Sequence, residues 1–177
     1  MSQPVEHKPV PFFVGLIISD NLLEDKVQKA LEDAIGEIDF TSEKIDFSEF
    51  TDYYKSEMGK NLFRRWIAFK DMRKPEEIVD MKWRCAEIEK NFAKDGNRLV
   101  NIDPGYLTEA KIILASFKNF SHRIYLLRCV FADMQLMFVG GKYVPMRWTF
   151  SDYKSDVAQK FFIKLRGKYR KWLKSEG

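Results

Sequence analysis

A chain of 177 residues, 45% hydrophobic and 15% aromatic, has the length of one domain and the material for a sizeable core, which excludes a disordered protein. Its two cysteines, Cys85 and Cys129, are too few and too far apart for a zinc site or a redox pair, and read as reduced small hydrophobes. The net charge of +4 is uneven: Lys154 to Lys174 holds eight Lys or Arg against Asp156 alone, so the remainder is net acidic.

Residues 1–10, with Pro4 and Pro9 and little apolar content, read as a flexible tail before a domain expected over 11–177. The apolar run Phe12–Ile18 reads as a buried strand; it is too short to cross a bilayer and lacks the preceding basic cluster of a signal peptide. No other run approaches membrane length, so a cytoplasmic protein with no membrane partner is expected. Asn21 and Glu24 resemble a capping box, and Leu23, Val27, Leu31 and Ala34 recur at helical spacing up to Gly36. Ile38/Phe40 and Ile45/Phe47 alternate around Thr41–Lys44, which predicts a hairpin with a four-residue connection.

Leu62–Lys70 reads as a further strand. Pro75, Glu76 and Glu77 suit a helix start, and Ile78, Met81, Cys85, Ile88 and Phe92 keep helical spacing until Gly96. Strands follow at Leu99–Ile102, Ile112–Ser116, Arg123–Leu127 and Val130–Val139, with a turn at Gly140-Gly141. From Lys154 a helix carries the seam Val157, Phe161, Leu165, Tyr169 and Trp172. The whole predicts a single α+β domain, a mainly antiparallel sheet packed against two or three helices.

The segment Asn101–Leu127 mixes turn chemistry with titratable groups. Asp103-Pro104-Gly105 predicts a type II turn in which Asp103 accepts from backbone amides. In a functional reading Asp103 orients His122 or holds Mg²⁺, with Asp52, Glu57 and Asp152 as companions. Beyond His7 in the tail, His122 is the sole imidazole, so acid–base chemistry or histidine ligation would fall to it; otherwise it is a strand-start histidine bonded to a carbonyl. Strand alternation puts Ser116 and Lys118 on one face and Lys111 on the other. With Arg123 they suit a phosphate or carboxylate, or else form a solvated edge. His122 and Arg123 serve one pocket only where a kink or a strand end lies between them. Tyr54 and Tyr106, with Tyr53, Tyr125 and Tyr153, either stack on a base or sugar or plug the core's edge. Lys160, Lys164, Lys168 and Lys171 form a stripe that suits nucleic acid or an acidic partner, or a solvated helix face.

Several segments together resemble the family catalogued as domain of unknown function 4416, a group of small prokaryotic proteins, over nearly the whole chain. They are Phe12–Ile18, Phe50-Thr51-Asp52-Tyr53-Tyr54 with Glu57-Met58-Gly59, Val100–Leu107, Leu114-Ala115-Ser116 with Lys118, His122–Leu126, Trp148-Thr149 and Asp152-Tyr153. The chain departs from the pattern at Phe117, where the family has Thr, near Cys129, where it has Gly, and at Asp133, where it has Glu. The first removes a hydroxyl from the candidate pocket. Some members carry a GTP-binding label, yet the chain has no Gly-x4-Gly-Lys-Ser/Thr loop. The resemblance implies no established activity. The expected function is binding of a small anionic ligand, a nucleotide or phosphorylated metabolite, with acid–base chemistry at His122 in an enzymatic version. Nucleic-acid or acidic-partner binding through the last helix is the alternative.

Overall fold

The computed structural model describes residues 3–19, 23–51, 53–59 and 61–176. Among these, one antiparallel sheet comprises β1 (Val10–Ile18), β2 (Ile38–Thr41), β3 (Ile45–Asp46), β4 (Phe63–Arg73), β5 (Val100–Leu107), β6 (Lys111–Ser116), β7 (Ile124–Leu127), β8 (Val130–Val139) and β9 (Lys142–Pro145). The strand order is β2-β4-β1-β5-β6-β8-β7, with β3 also on β4 and β9 also on β8. The helices are α1 (Glu24–Ala34), the single turn α2 (Lys55–Met58), α3 (Ile78–Asn91) and α4 (Asp156–Ser175). This is the α+β architecture expected from the pattern of elements. None of these helices is long and apolar enough to cross a membrane.

β1 is buried along its whole length because both of its faces are covered. Alternation sends Phe13 to α4, where its ring meets Phe162 at 4.9 Å. Phe12 points the other way and shares a small cavity with Ile35 and Met81, from the side of α1 and α3. The seam of α4 is as its spacing predicts: Phe161, Leu165 and Tyr169 are buried, while Val157 and Trp172 pack partly buried against the same core. The capping role expected of Asn21 lies outside the described residues, and α1 starts with no side-chain cap from Leu23.

The expected hairpin over residues 38–47 is not formed. β2 pairs with Ile67–Phe69 and β3 with Phe63 and Arg64, so the chain continues along one partner, β4, without reversing. Ser42 keeps it attached between the two ladders: its N–H donates to Trp66 O (2.8 Å) and its Oγ accepts from Trp66 N–H (3.0 Å). Thr41–Lys44 contains no Gly, Asn or Asp to take the left-handed conformations that a tight reversal favours.

The expected turn at Asp103-Pro104-Gly105 is also absent, since all three lie inside β5 opposite Gly15, Val14 and Phe13. Gly105 is there for close approach: a Cβ would stand 2.6 Å from Ile113 O and from Phe13 Cζ. Past β7, Arg128 and Cys129 make the reversal into β8 with φ of 50° and 62°, a left-handed pair built without glycine.

Candidate functional site

Between β5 and β6 the sheet parts. Their ladder covers only Gly105–Leu107 against Ile112–Leu114. Toward the start of β5, α3 takes the vacated edge with side chains: Glu89 accepts from Ile102 N–H (2.6 Å), and Lys82 Nζ donates to Ile102 O (3.3 Å). By alternation the nitrogen of Pro104 faces the same edge, where a proline costs no ladder bond. Asn101 and Asp103 both line the resulting cleft, whose volume of about 560 Å³ suits a small ligand.

Arg64 is the buried centre of the cleft. It follows Phe63 on β4 and points the same way as Trp66, into space that Gly15 leaves open: a Cβ there would lie 2.5 Å from Arg64 Nη1. Nε donates to Asp152 Oδ2 at 2.6 Å, with both side chains 2% exposed. Nη1 lies 3.8 Å from Asp103 Oδ2 and has no hydrogen-bond partner among the described residues. An unpaired buried donor costs about 1–3 kcal/mol, more when it carries charge. Burial works against the guanidinium's charge, but Asp152, Tyr153, Asp103 and Tyr54 outweigh it and raise its pKa above the ordinary value. Burial raises the Asp152 pKa, with Arg64 opposing. Burial likewise raises that of Glu89, against Lys82 and the Ile102 amide.

Arg98 closes one side. It grips Glu57 through Nε (2.7 Å) and Nη2 (2.8 Å) and reaches Asn101 Oδ1 through Nη1 (3.1 Å). Hydrogen bonding from Arg98 depresses the Glu57 carboxyl. Asn101 in turn donates to Asp103 Oδ2 at 2.8 Å. Lys82 stands 3.8 Å from Asp103 Oδ1 and 5.4 Å from the Phe117 ring centre.

The opposite rim is held by Asp133, which is 1% exposed. Arg123 Nε donates to its Oδ2 (2.6 Å) and Gln135 Nε2 to its Oδ1 (2.7 Å). Arg123 Nη1 then donates to Ser116 Oγ (2.8 Å) and Lys118 O (3.0 Å). Lys118 Nζ donates to the exposed Tyr53 hydroxyl at 2.6 Å, and this bond lowers the phenol's pKa.

The cleft gathers Asp103, Ser116, Lys118, Arg123, Tyr54 and Asp152 from the residues singled out in the sequence. Ser116 and Lys118 meet there although β6 ends at Ser116, so a bend brings them together rather than a shared strand face. His122 stands behind the wall. Its ring stacks between Phe120 (6.0 Å) and Trp148 (4.9 Å), and its Nε2 is 3.6 Å from Asp133. Both His122 and Arg123 reach Asp133 because β7 begins only at Ile124. Asp103 therefore does not orient His122; it faces Arg64 and Lys82. Tyr106 leaves the set, because alternation turns it to the other face of β5, against Phe12. Glu57 acts through Arg98 and is not itself in the lining. Asp52 lies outside the described residues.

Four contributors escaped the sequence reading: Arg64, Lys82, Glu89 and Arg98. Two had a visible signal. Arg64 is a charge on the inward face of an apolar strand, two residues before Trp66, and Lys82 sits four residues after Ile78 on the apolar stripe of α3. Among the described residues no cluster of three His, Cys, Asp or Glu is arranged for a metal, and the carboxylate proposed for Mg²⁺, Asp103, is flanked by two cations. Of the lysine stripe, Lys168 pairs with Asp39, and Lys164 and Lys168 both lie over Phe40 (4.1 and 5.3 Å), fastening α4 to β2.

The family described as Domain of unknown function (DUF4416) matches residues 8–169. No curated protein and no solved structure matches the chain.

Proposed function

The chain belongs to the DUF4416 family, whose description names no activity, and we propose from the cleft itself that it is a cytoplasmic binder of a small anionic ligand, a nucleotide or phosphorylated metabolite. One observation carries this reading: the buried Arg64 guanidinium, whose Nη1 has no hydrogen-bond partner among the described residues, stands in the wall of a cleft of about 560 Å³. Lys82, Lys118 and Arg123 add positive charge around the same space, and aromatic rings such as Tyr54 and Trp148 offer flat surfaces to a ring. His122, its ring stacked on Phe120 and Trp148 and its Nε2 3.6 Å from Asp133, serves this function by bracing the Asp133–Arg123 rim. Binding, not turnover, is what the arrangement supports. The nucleic-acid alternative is weaker, because two of its four lysines are engaged in docking α4.

Thermal unfolding with a panel of nucleotides and sugar phosphates tests this. A ligand present at 100 times its Kd stabilises the folded state by about 2.7 kcal/mol. Lys118→Ala, a change at the exposed rim, should weaken the response. A flat response across the panel, or one that Lys118→Ala leaves intact, refutes the assignment.

A further inference from the structure

The two ends of the cleft differ in chemistry. At the deep end Asp103 stands 3.8 Å from Arg64 Nη1 through Oδ2 and 3.8 Å from Lys82 Nζ through Oδ1. These are ion-pair separations, too long for hydrogen bonds. Arg64 Nη1 donates to nothing among the described residues, and Lys82 Nζ donates only to Ile102 O. Among the described residues the Asp103 carboxylate accepts from Asn101 alone. Lys82 and Asp103 thus bring spare donor and acceptor capacity to the deep end, with the buried Arg64 guanidinium behind Asp103.

A hydroxyl both donates and accepts, so it satisfies an acceptor and a cation at once. A phosphomonoester dianion only accepts, and any phosphate at this end would press its charge against Asp103. The local charges leave no surplus to attract it, since Arg64 and Lys82 are matched by Asp103 and Asp152 before Glu89 is added. The mouth is different. There Arg123 is matched by Asp133, while Lys118 donates to the Tyr53 hydroxyl and is felt only weakly by Glu57, which Arg98 already holds. The lining also holds Phe47, Tyr54, Phe117 and Trp148, with Phe47 beside Arg64 and Phe117 beside Lys82, and their faces suit the C–H surface of a sugar ring or the plane of a base.

Resting on the binding function above, we infer that the ligand is a phosphorylated sugar, free or within a nucleotide, held with its hydroxyls inward on Asp103 and Lys82, in front of the buried Arg64, and its phosphate outward on Lys118. Asp103 is the residue that distinguishes this ligand from a bare anion.

Titration calorimetry on the full chain separates the two ends, using ribose 5-phosphate, adenosine 5′-monophosphate, ribose and inorganic phosphate as probes. Lys118→Ala should weaken ribose 5-phosphate and inorganic phosphate alike, by about tenfold or more, as expected for one charge-assisted bond. Asp103→Asn should weaken ribose 5-phosphate about tenfold and leave inorganic phosphate unchanged. Lys82→Gln should behave as Asp103→Asn does, and carries the test if that variant does not fold. Whichever of ribose 5-phosphate and adenosine 5′-monophosphate binds more tightly identifies the source of the sugar. Tighter binding of both phosphate probes to Asp103→Asn would put the phosphate at the deep end and overturn the orientation while leaving anion binding intact. Ribose 5-phosphate binding no better than inorganic phosphate overturns the sugar. If no probe binds, the anion-binding function itself falls.

Discussion

Breaking the Arg64–Asp152 pair should show how completely the floor of the cleft is withdrawn from water. Each side chain is 2% exposed, so screening by solvent does little to weaken the pair. Asp152→Ala strands the guanidinium, with Asp103 at 3.8 Å as its remaining carboxylate. Removing one partner of a buried pair costs about 3–5 kcal/mol, and the residual attraction of Asp103 places the expectation near the lower figure. Arg64→Met should cost less in acid than in base. Burial already raises the Asp152 pKa with Arg64 present, and without it the carboxyl stays protonated to still higher pH. A group whose folded pKa exceeds its unfolded one keeps its full contribution below the unfolded value and loses it as pH climbs through the folded one. The variant should therefore lose stability from about pH 4 upward more steeply than the parent. The double variant removes both charges and should fall short of the summed single costs by about 1–3 kcal/mol. Urea unfolding of the four proteins at pH 5 and pH 8 measures all of this. Additive single costs, or an Asp152→Ala penalty below about 1 kcal/mol, would mean that water reaches the pair and that the deep end is no desolvated pocket.

Further outcomes follow from single positions. Glu89→Gln keeps an oxygen for the Ile102 amide but removes a carboxylate whose pKa burial raises, so its stability relative to the parent should improve as pH rises from about 4 to 7; a difference that is flat or falls with pH contradicts this. Gly105→Ala drives a methyl to 2.6 Å from Ile113 O, a backbone atom that cannot swing aside, and should cost about 1–3 kcal/mol in chemical denaturation. Gly167→Ala, within α4 with nothing within 4 Å of the new methyl, should instead stabilise by about 0.5–1 kcal/mol. Cys129→Gly relieves a left-handed φ of 62° and should gain up to about 1 kcal/mol in the same assay, whereas a loss would mean that this turn carries no strain.

The sequence announced elements better than it announced their partners. Val130–Val139 and the seam of α4 were legible because period and length coincide there, and β1 because a short apolar run between polar flanks has few other uses. The segment 38–47 was misread because alternation marks a strand without saying which strand it pairs with, and β4 was long enough to accept both halves. Asp-Pro-Gly misled for a more specific reason. Its turn propensity is local, but the space made for Gly105 by Ile113 and Phe13 is set by chain distant in sequence. For the cleft, the segment 101–127 supplied Asp103, Ser116, Lys118 and Arg123. The decisive charges, Arg64 and Lys82, came from β4 and α3, where they looked like interruptions in apolar patterns. Histidine drew attention by scarcity, yet scarcity carries no geometry, and two stacked rings fixed His122 behind the wall.

Pro104 has a wider consequence. Extending the β5–β6 register by two places would set Ala115 against Pro104 and Ser116 against Asp103, but the imino nitrogen has nothing to offer such a rung. The sheet is in effect a book with two leaves, β2-β4-β1-β5 and β6-β8-β7, whose shared ladder is only three residue pairs deep. The packing of α4 across both, through Phe162 on Phe13 and on Tyr143, carries much of the binding. The span from Arg64 to Lys118 is therefore set as much by the footing of that helix as by the sheet.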